Sequence, residues 1–233
     1  MEKRFWEIDA IRGFTIINMV LFNYVFVLNF LGVIGFEFGI SYAILIAGTF
    51  IFLSGISQTL GRNMKNYGFK KFLKRGIELL AWGLAITLAT FAMFPDYFIM
   101  FGILQFMGMS VILGQFFHKF KEINLVLGLV IFVSGFYLMS FSVNFPWLLW
   151  LGIPPEGFQT FDYFPIFPWF GLTLWGIYAG NEYYAKGKRS FKIPDVSKNP
   201  FVKVMSFLGR NSLKIYLLHQ PVLAVFILIL GLV

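Results

Sequence analysis

The chain has 233 residues, of which 58% are hydrophobic and only 13% charged, with a formal net charge of +8. A soluble domain carries roughly 25% charged and about 45–50% apolar residues, so this composition excludes an ordinary soluble core. Cysteine is absent, which removes disulfide frames and zinc- or haem-thiolate sites.

Apolar stretches of about 20 residues, the length that crosses a bilayer core, recur along the chain and lack the alternation of a membrane β-barrel. The predicted fold is all-α: a polytopic transmembrane helical bundle formed by one domain, residues 1–233. Seven spans are expected, at 12–34, 38–60, 75–94, 98–117, 123–142, 164–181 and 211–232. The leading segment MEKRFWEIDAIRG contains three acids and precedes too long an apolar run for a cleavable signal, so it reads as part of a retained first helix. With the N-terminus inside, all 19 Lys and Arg fall on the cytoplasmic side or in the first turns of the spans that start there. The outer loops then hold only acids: Glu37, Asp96, Glu156 and Asp162. This places the C-terminus outside and makes the protein a multi-pass protein of the cell membrane. The positive charge is accounted for by membrane flanks, not by a nucleic-acid surface.

Ionisable groups within lipid are costly and are functional candidates. In chain order the first is Arg12, with Asp9 three residues earlier. It reads either as half of an interfacial ion pair or as a cation for a substrate phosphate or carboxylate. Asn23 lies 11 residues further, about 16 Å deeper; it and Asn29 also suit simple helix bridging. Arg75 and Glu78 share a helix face and read as a pair. Ser54, Ser57, Gln58, Thr59 and Gln105 are candidates for lining a polar cavity, though small hydroxyl residues also pack helices. His118, beside Lys119, reads as solvated. The outer segment 143–163, with Pro146, Trp147, Trp150, Pro154 and Pro155, is expected to lie along the membrane interface. The inner segment 182–210 reads as a solvated connector.

The last span opens with GRNSLKIYLLHQPVL. Ser212, Tyr216 and His219 share one helical face, and Pro221 withholds a backbone donor from the same turn. A polar face with a loosened backbone must look into protein or water rather than lipid. His219 is therefore the strongest single candidate for chemistry. No metal-binding pattern and no phosphate-binding glycine loop occurs in the sequence.

Three segments resemble motifs of the heparan-α-glucosaminide N-acetyltransferase-like catalytic domain family, within the transmembrane acyltransferase superfamily. They are Asp9, Arg12 and Gly13 in the first helix, Phe161 and Asp162 before the sixth, and Gly209, Asn211, Ser212, Tyr216 and His219 at the last. Their order spans nearly the whole chain, which is similar to a short member of the family. The resemblance implies transfer of an acetyl or other short acyl group from cytoplasmic acetyl-CoA or another acyl-CoA to an extracytoplasmic glycan or lipid-linked acceptor, without a metal. The basic residues Lys71, Lys74 and Arg75, with Arg12, would receive the donor's phosphates; Asn211, Ser212 and Tyr216 would help hold it. The wider superfamily commonly has a histidine where this chain has Asn23, and an amide is no base. Three readings stay open: His219 takes over the chemistry with Asn23 orienting, or Asp162 or Glu156 supplies the base, or the protein is a non-catalytic transporter or lipid-binding relative. Partners are the bilayer, the acyl donor and the acceptor; a homo-oligomer is left open.

Overall fold

A computed structural model describes residues 4–65, 67–229 and 231, and all regular elements among them are helical. They are α1 (Trp6–Phe30), α2 (Ile40–Lys65), α3 (Phe69–Met93), α4 (Ile103–Leu113), α5 (Ile123–Leu138), α6 (Ile166–Tyr183), α7 (Pro200–Arg210) and α8 (Ser212–Ile229). Each of the seven expected spans coincides with a helix. The helices α1, α2 and α3 are long and apolar enough to cross a membrane, and α4, α5 and α8 are shorter apolar helices. The chain is a helical membrane protein.

The fourth span is shorter than expected because its first residues leave the helix. The Phe164 amide donates to the Phe101 carbonyl at 2.8 Å, and Thr160 Oγ1 donates to the Phe98 carbonyl at 2.8 Å. The segment before α6 is therefore hydrogen-bonded to residues 98 and 101 ahead of α4.

The segment 182–210 is not a connector throughout, as the sequence reading had it: its last third is α7. The start signal is local. Asn199 Oδ1 accepts the Phe201 amide at 2.9 Å, and Pro200 occupies the first turn, where its missing N–H costs nothing. Met205, Ser206 and Gly209 are buried on one face, the i, i+1, i+4 grouping of a helix that packs on one side. The basic residues around it hid that stripe in a composition reading.

The backbone condenses as two compact units. The first comprises Met1–Phe50 and Ile193–Val233, the second Ile51–Lys192. In the first unit α1 packs along α7 and contacts α8. Its apolar core is Ile16, Met19 and Ile46, with Leu208, Ile215 and Tyr216 against them. In the second unit α3 packs on α4 and α5 on α6, around Ile51, Phe106, Phe170, Leu174 and Ile177.

Glycine pairs set these packings. Gly76 faces Gly108, where a Cβ on either would lie 2.8 Å from the other's carbonyl oxygen. A Cβ on Gly128 would lie 3.0 Å from the Gly171 carbonyl oxygen, and one on Gly55 would lie 2.9 Å from the Gly176 Cα. In the first unit Gly13 meets Met205 and Gly209, and Gly209 meets the Asp9 carbonyl. Lipid provides little hydrophobic drive between helices, so close backbone approach at small residues is how such helices gain packing energy.

A candidate active site around His219

His219 is buried, with 6% of its surface exposed. It lies on α8 in the first unit, three residues after Tyr216 and at the level of Asn23 and Tyr24 on α1. The Tyr24 hydroxyl donates to the His219 carbonyl at 3.3 Å, and Gln220 Nε2 donates to Asn23 Oδ1 at 3.3 Å. Asn23 Nδ2 donates to the Met19 carbonyl at 2.9 Å and contacts Met19 Sδ at 3.0 Å. The sequence pairing of Asn23 with the last helix is thus realised through Gln220, not through the imidazole itself.

The ring has a defined tautomer. Its Nδ1 bonds the Tyr216 carbonyl, which can only accept, so Nδ1 carries the proton. A neutral imidazole then presents a lone pair at Nε2. Nε2 is buried and has no hydrogen-bond partner in the protein. A buried acceptor without a donor is costly and is the form in which an imidazole takes a proton from a substrate.

The other expected site residues have clear settings. Arg12 lies 3.5 Å from Asp9 Oδ1, one turn back along α1. Asn211 caps α7: its Nδ2 donates to the Phe207 carbonyl at 2.9 Å. Ser212 begins α8, and Tyr216 packs on the core of the first unit. Lys71, Lys74 and Arg75 belong to the second unit, exposed on the first turns of α3. Lys71 Nζ sits 3.5 Å from the Tyr67 ring centre, and Arg75 bonds Glu78 at 3.0 Å, as the spacing predicted. Gln105 bridges helices: its amide reaches the Gly83 carbonyl at 2.9 Å and Thr87 Oγ1 at 2.8 Å.

Asp162 also lies in the second unit. Its Oδ2 accepts the Ile103 amide at 2.9 Å, which caps α4 from a distant loop. Burial pushes its carboxyl up to about 6, against the opposing pull of that amide. A carboxyl raised in the folded state costs stability once ionised, above about pH 6, and nothing below about pH 4. Asp162→Asn keeps an acceptor for Ile103. It is expected to raise the melting temperature above about pH 6 and to leave it unchanged below about pH 4.

His118 is buried, not solvated as the sequence reading had it. The 3-10 turn Gly114–Phe116 that ends α4 folds the chain back. The His118 ring then lies 3.5 Å from Thr59 Oγ1, and Asn181 Nδ2 donates to its carbonyl at 3.1 Å. Burial first, then the Arg62 charge, lowers its imidazole to about 4. A depressed histidine gives stability that is present above its unfolded value of 6.5 and lost as pH falls toward 4. Unfolding in detergent is expected to show about 3 kcal/mol of loss across that window, and His118→Gln to flatten it. A buried polar group formed by Gln58, Gln115, His118 and Asn124 surrounds this point. Of these four only Gln58 is a cavity-lining candidate by sequence, because the others lie near or beyond the ends of the expected spans.

The first unit also holds a cleft of about 520 Å³, lined among others by Arg4, Trp6, Lys203, Ser206 and Arg210. No sequence pattern marked it, since its two walls are about 200 residues apart.

No curated protein and no solved structure is significantly similar to the chain. One family model does match, over residues 4–221 and so over nearly all of the sequence and all three motifs. The chain, a helical membrane protein with a buried imidazole where its last motif meets its first helix, belongs to the heparan-alpha-glucosaminide N-acetyltransferase catalytic-domain family.

Proposed function

We propose that the protein transfers an acetyl group from cytoplasmic acetyl-CoA to an amine or hydroxyl of an extracytoplasmic sugar or lipid-linked acceptor, as a multi-pass enzyme of the cell membrane. The observation that carries this reading is His219, buried on the last helix beside α1 with a fixed Nδ1 proton and an unpartnered Nε2. Family membership supplies the reaction class. Of the cations that the family resemblance implies for the donor's phosphates, Arg12 lies in the same unit as His219, and Lys71, Lys74 and Arg75 lie in the other.

The chemistry follows from the tautomer. The acceptor's nitrogen or oxygen attacks the thioester carbonyl while its proton passes to His219 Nε2. The new bond to carbon forms as the carbon–sulfur bond breaks, and the thiol leaves with a proton returned from the ring. Asn23, held by Gln220 and the Met19 carbonyl, keeps the α1 side of the site in place. Holding two reactants at such a base removes much of the entropic barrier.

The test is direct. Protein reconstituted in vesicles receives acetyl-CoA labelled in the acetyl group, with amino sugars and lipid-linked sugars as acceptors. Label is expected on the acceptor, with stoichiometric release of CoA. Acceptor flux across the vesicle without release of CoA would point to a transporter instead.

A further inference from the structure

We propose that the cleft between the start of α1 and α7 binds the phosphate of an anionic phospholipid headgroup, which seats α7 on the membrane surface. This site is separate from the imidazole and does not rest on the transferase reading.

The argument starts from α7. One face, with Met205, Ser206 and Gly209, is buried. The other exposes Phe201, Val204 and Phe207, each more than half exposed. Large apolar side chains on one side of a short helix with cations at its flanks describe a helix lying in the headgroup region. The cations are not scattered. Lys203 and Arg210 of α7 line the cleft together with Arg4 just before α1. Asp9 lines it too, but its carboxylate is shared with Arg12 at 3.5 Å. Lys203 and Arg210 thus bring two positive charges from α7 to the cleft.

A further feature points to an oxyanion. Trp6 lines the cleft, and its indole Nε1 is a buried donor with no acceptor in the protein. Ser206 lines it as well, its hydroxyl donating to the Trp6 carbonyl at 3.4 Å. An indole N–H and cationic side chains around about 520 Å³ suit a phosphodiester, which accepts from both. Soluble phosphates such as those of CoA share this chemistry. The exposed aromatic stripe favours the lipid, because its acyl chains lie where Phe201 and Phe207 would insert.

The test uses the whole protein in nanodiscs and spin-labelled phosphatidylglycerol as probe, with spin-labelled phosphatidylcholine as reference. The wild type is expected to retain phosphatidylglycerol selectively. Lys203→Gln with Arg210→Gln is expected to lower that selectivity by roughly twenty-five-fold, since each cation at an anionic surface is worth about fivefold. Trp6→Phe, which keeps the ring and removes the N–H, is expected to lower it further. Lys188→Gln with Lys192→Gln removes the same charge from exposed positions elsewhere and is expected to change little. Equal losses in both double variants would overturn the site in favour of diffuse attraction, and no selectivity in the wild type would overturn it outright. Displacement of the labelled lipid by CoA or inorganic phosphate would assign the cleft to a soluble phosphate and overturn the lipid reading.

Discussion

Gly13→Leu is expected to prevent stable folding, and Gly209→Leu to do the same. Gly13 Cα lies against the backbone of α7: a Cβ there would fall on the Met205 carbonyl, and one on Gly209 would fall on the Asp9 carbonyl. These are backbone obstacles, which cannot rotate away as a side chain does. Relief requires α1 and α7 to separate, exposing Ser206 and Asp9 and breaking the contact that closes the first unit. Overpacking of this kind costs about 3 kcal/mol or more. Thermal unfolding and gel filtration in detergent should show a large loss of melting temperature and aggregation. Gly35→Leu is the control, because nothing lies within 4 Å of its Cβ position, and it is expected to change stability by less than about 0.5 kcal/mol. A Gly13→Leu protein as stable as this control would mean that α7 does not pack on α1 at all.

His219→Asn is expected to abolish transfer while leaving the fold intact. The Asn side-chain amide can donate to the Tyr216 carbonyl as Nδ1 does, so the local hydrogen bond is kept. It has nothing that can accept and return a proton at neutral pH. A missing general base costs about 10²–10⁴-fold in rate. The turnover rate should fall on that scale while the KM for acetyl-CoA stays close to wild type, since no donor contact is assigned to the ring. Tyr24→Phe removes only the bond to the His219 carbonyl and should give a smaller fall through positioning. Transfer retained by His219→Asn would remove the imidazole from the mechanism and return attention to Asp162 or Glu156.

These two predictions meet at the same motifs. In the first helix, Asp9, Arg12 and Gly13 form an ion pair and a contact glycine; at the last, Gly209 receives that contact and His219 carries the chemistry proposed here. Motif residues that look alike in a sequence thus divide into packing and reaction. Arg12 and Asp9 pair as their three-residue spacing required, because neighbours on one helical turn are fixed by local geometry.

What the sequence determined by itself is what local chain chemistry dictates. Runs of about 20 apolar residues require helices in lipid, because every backbone group must be bonded within its own segment; the seven expected spans each hold one. The i, i+3 and i, i+4 faces followed too, so Arg75 with Glu78 and Tyr216 with His219 were readable. The family was readable from three motifs in order. Tertiary structure alone decided the rest. It made α7 a packed helix, because a stripe of Met205, Ser206 and Gly209 has meaning only against Gly13. It buried His118, because a 3-10 turn, not composition, sets where that ring points. It joined Asn23 to Gln220 across 197 residues of chain, and gathered Arg4, Trp6 and Arg210 around one cleft. Such contacts depend on how closely helices from distant parts of the chain approach, which no single stretch of sequence displays.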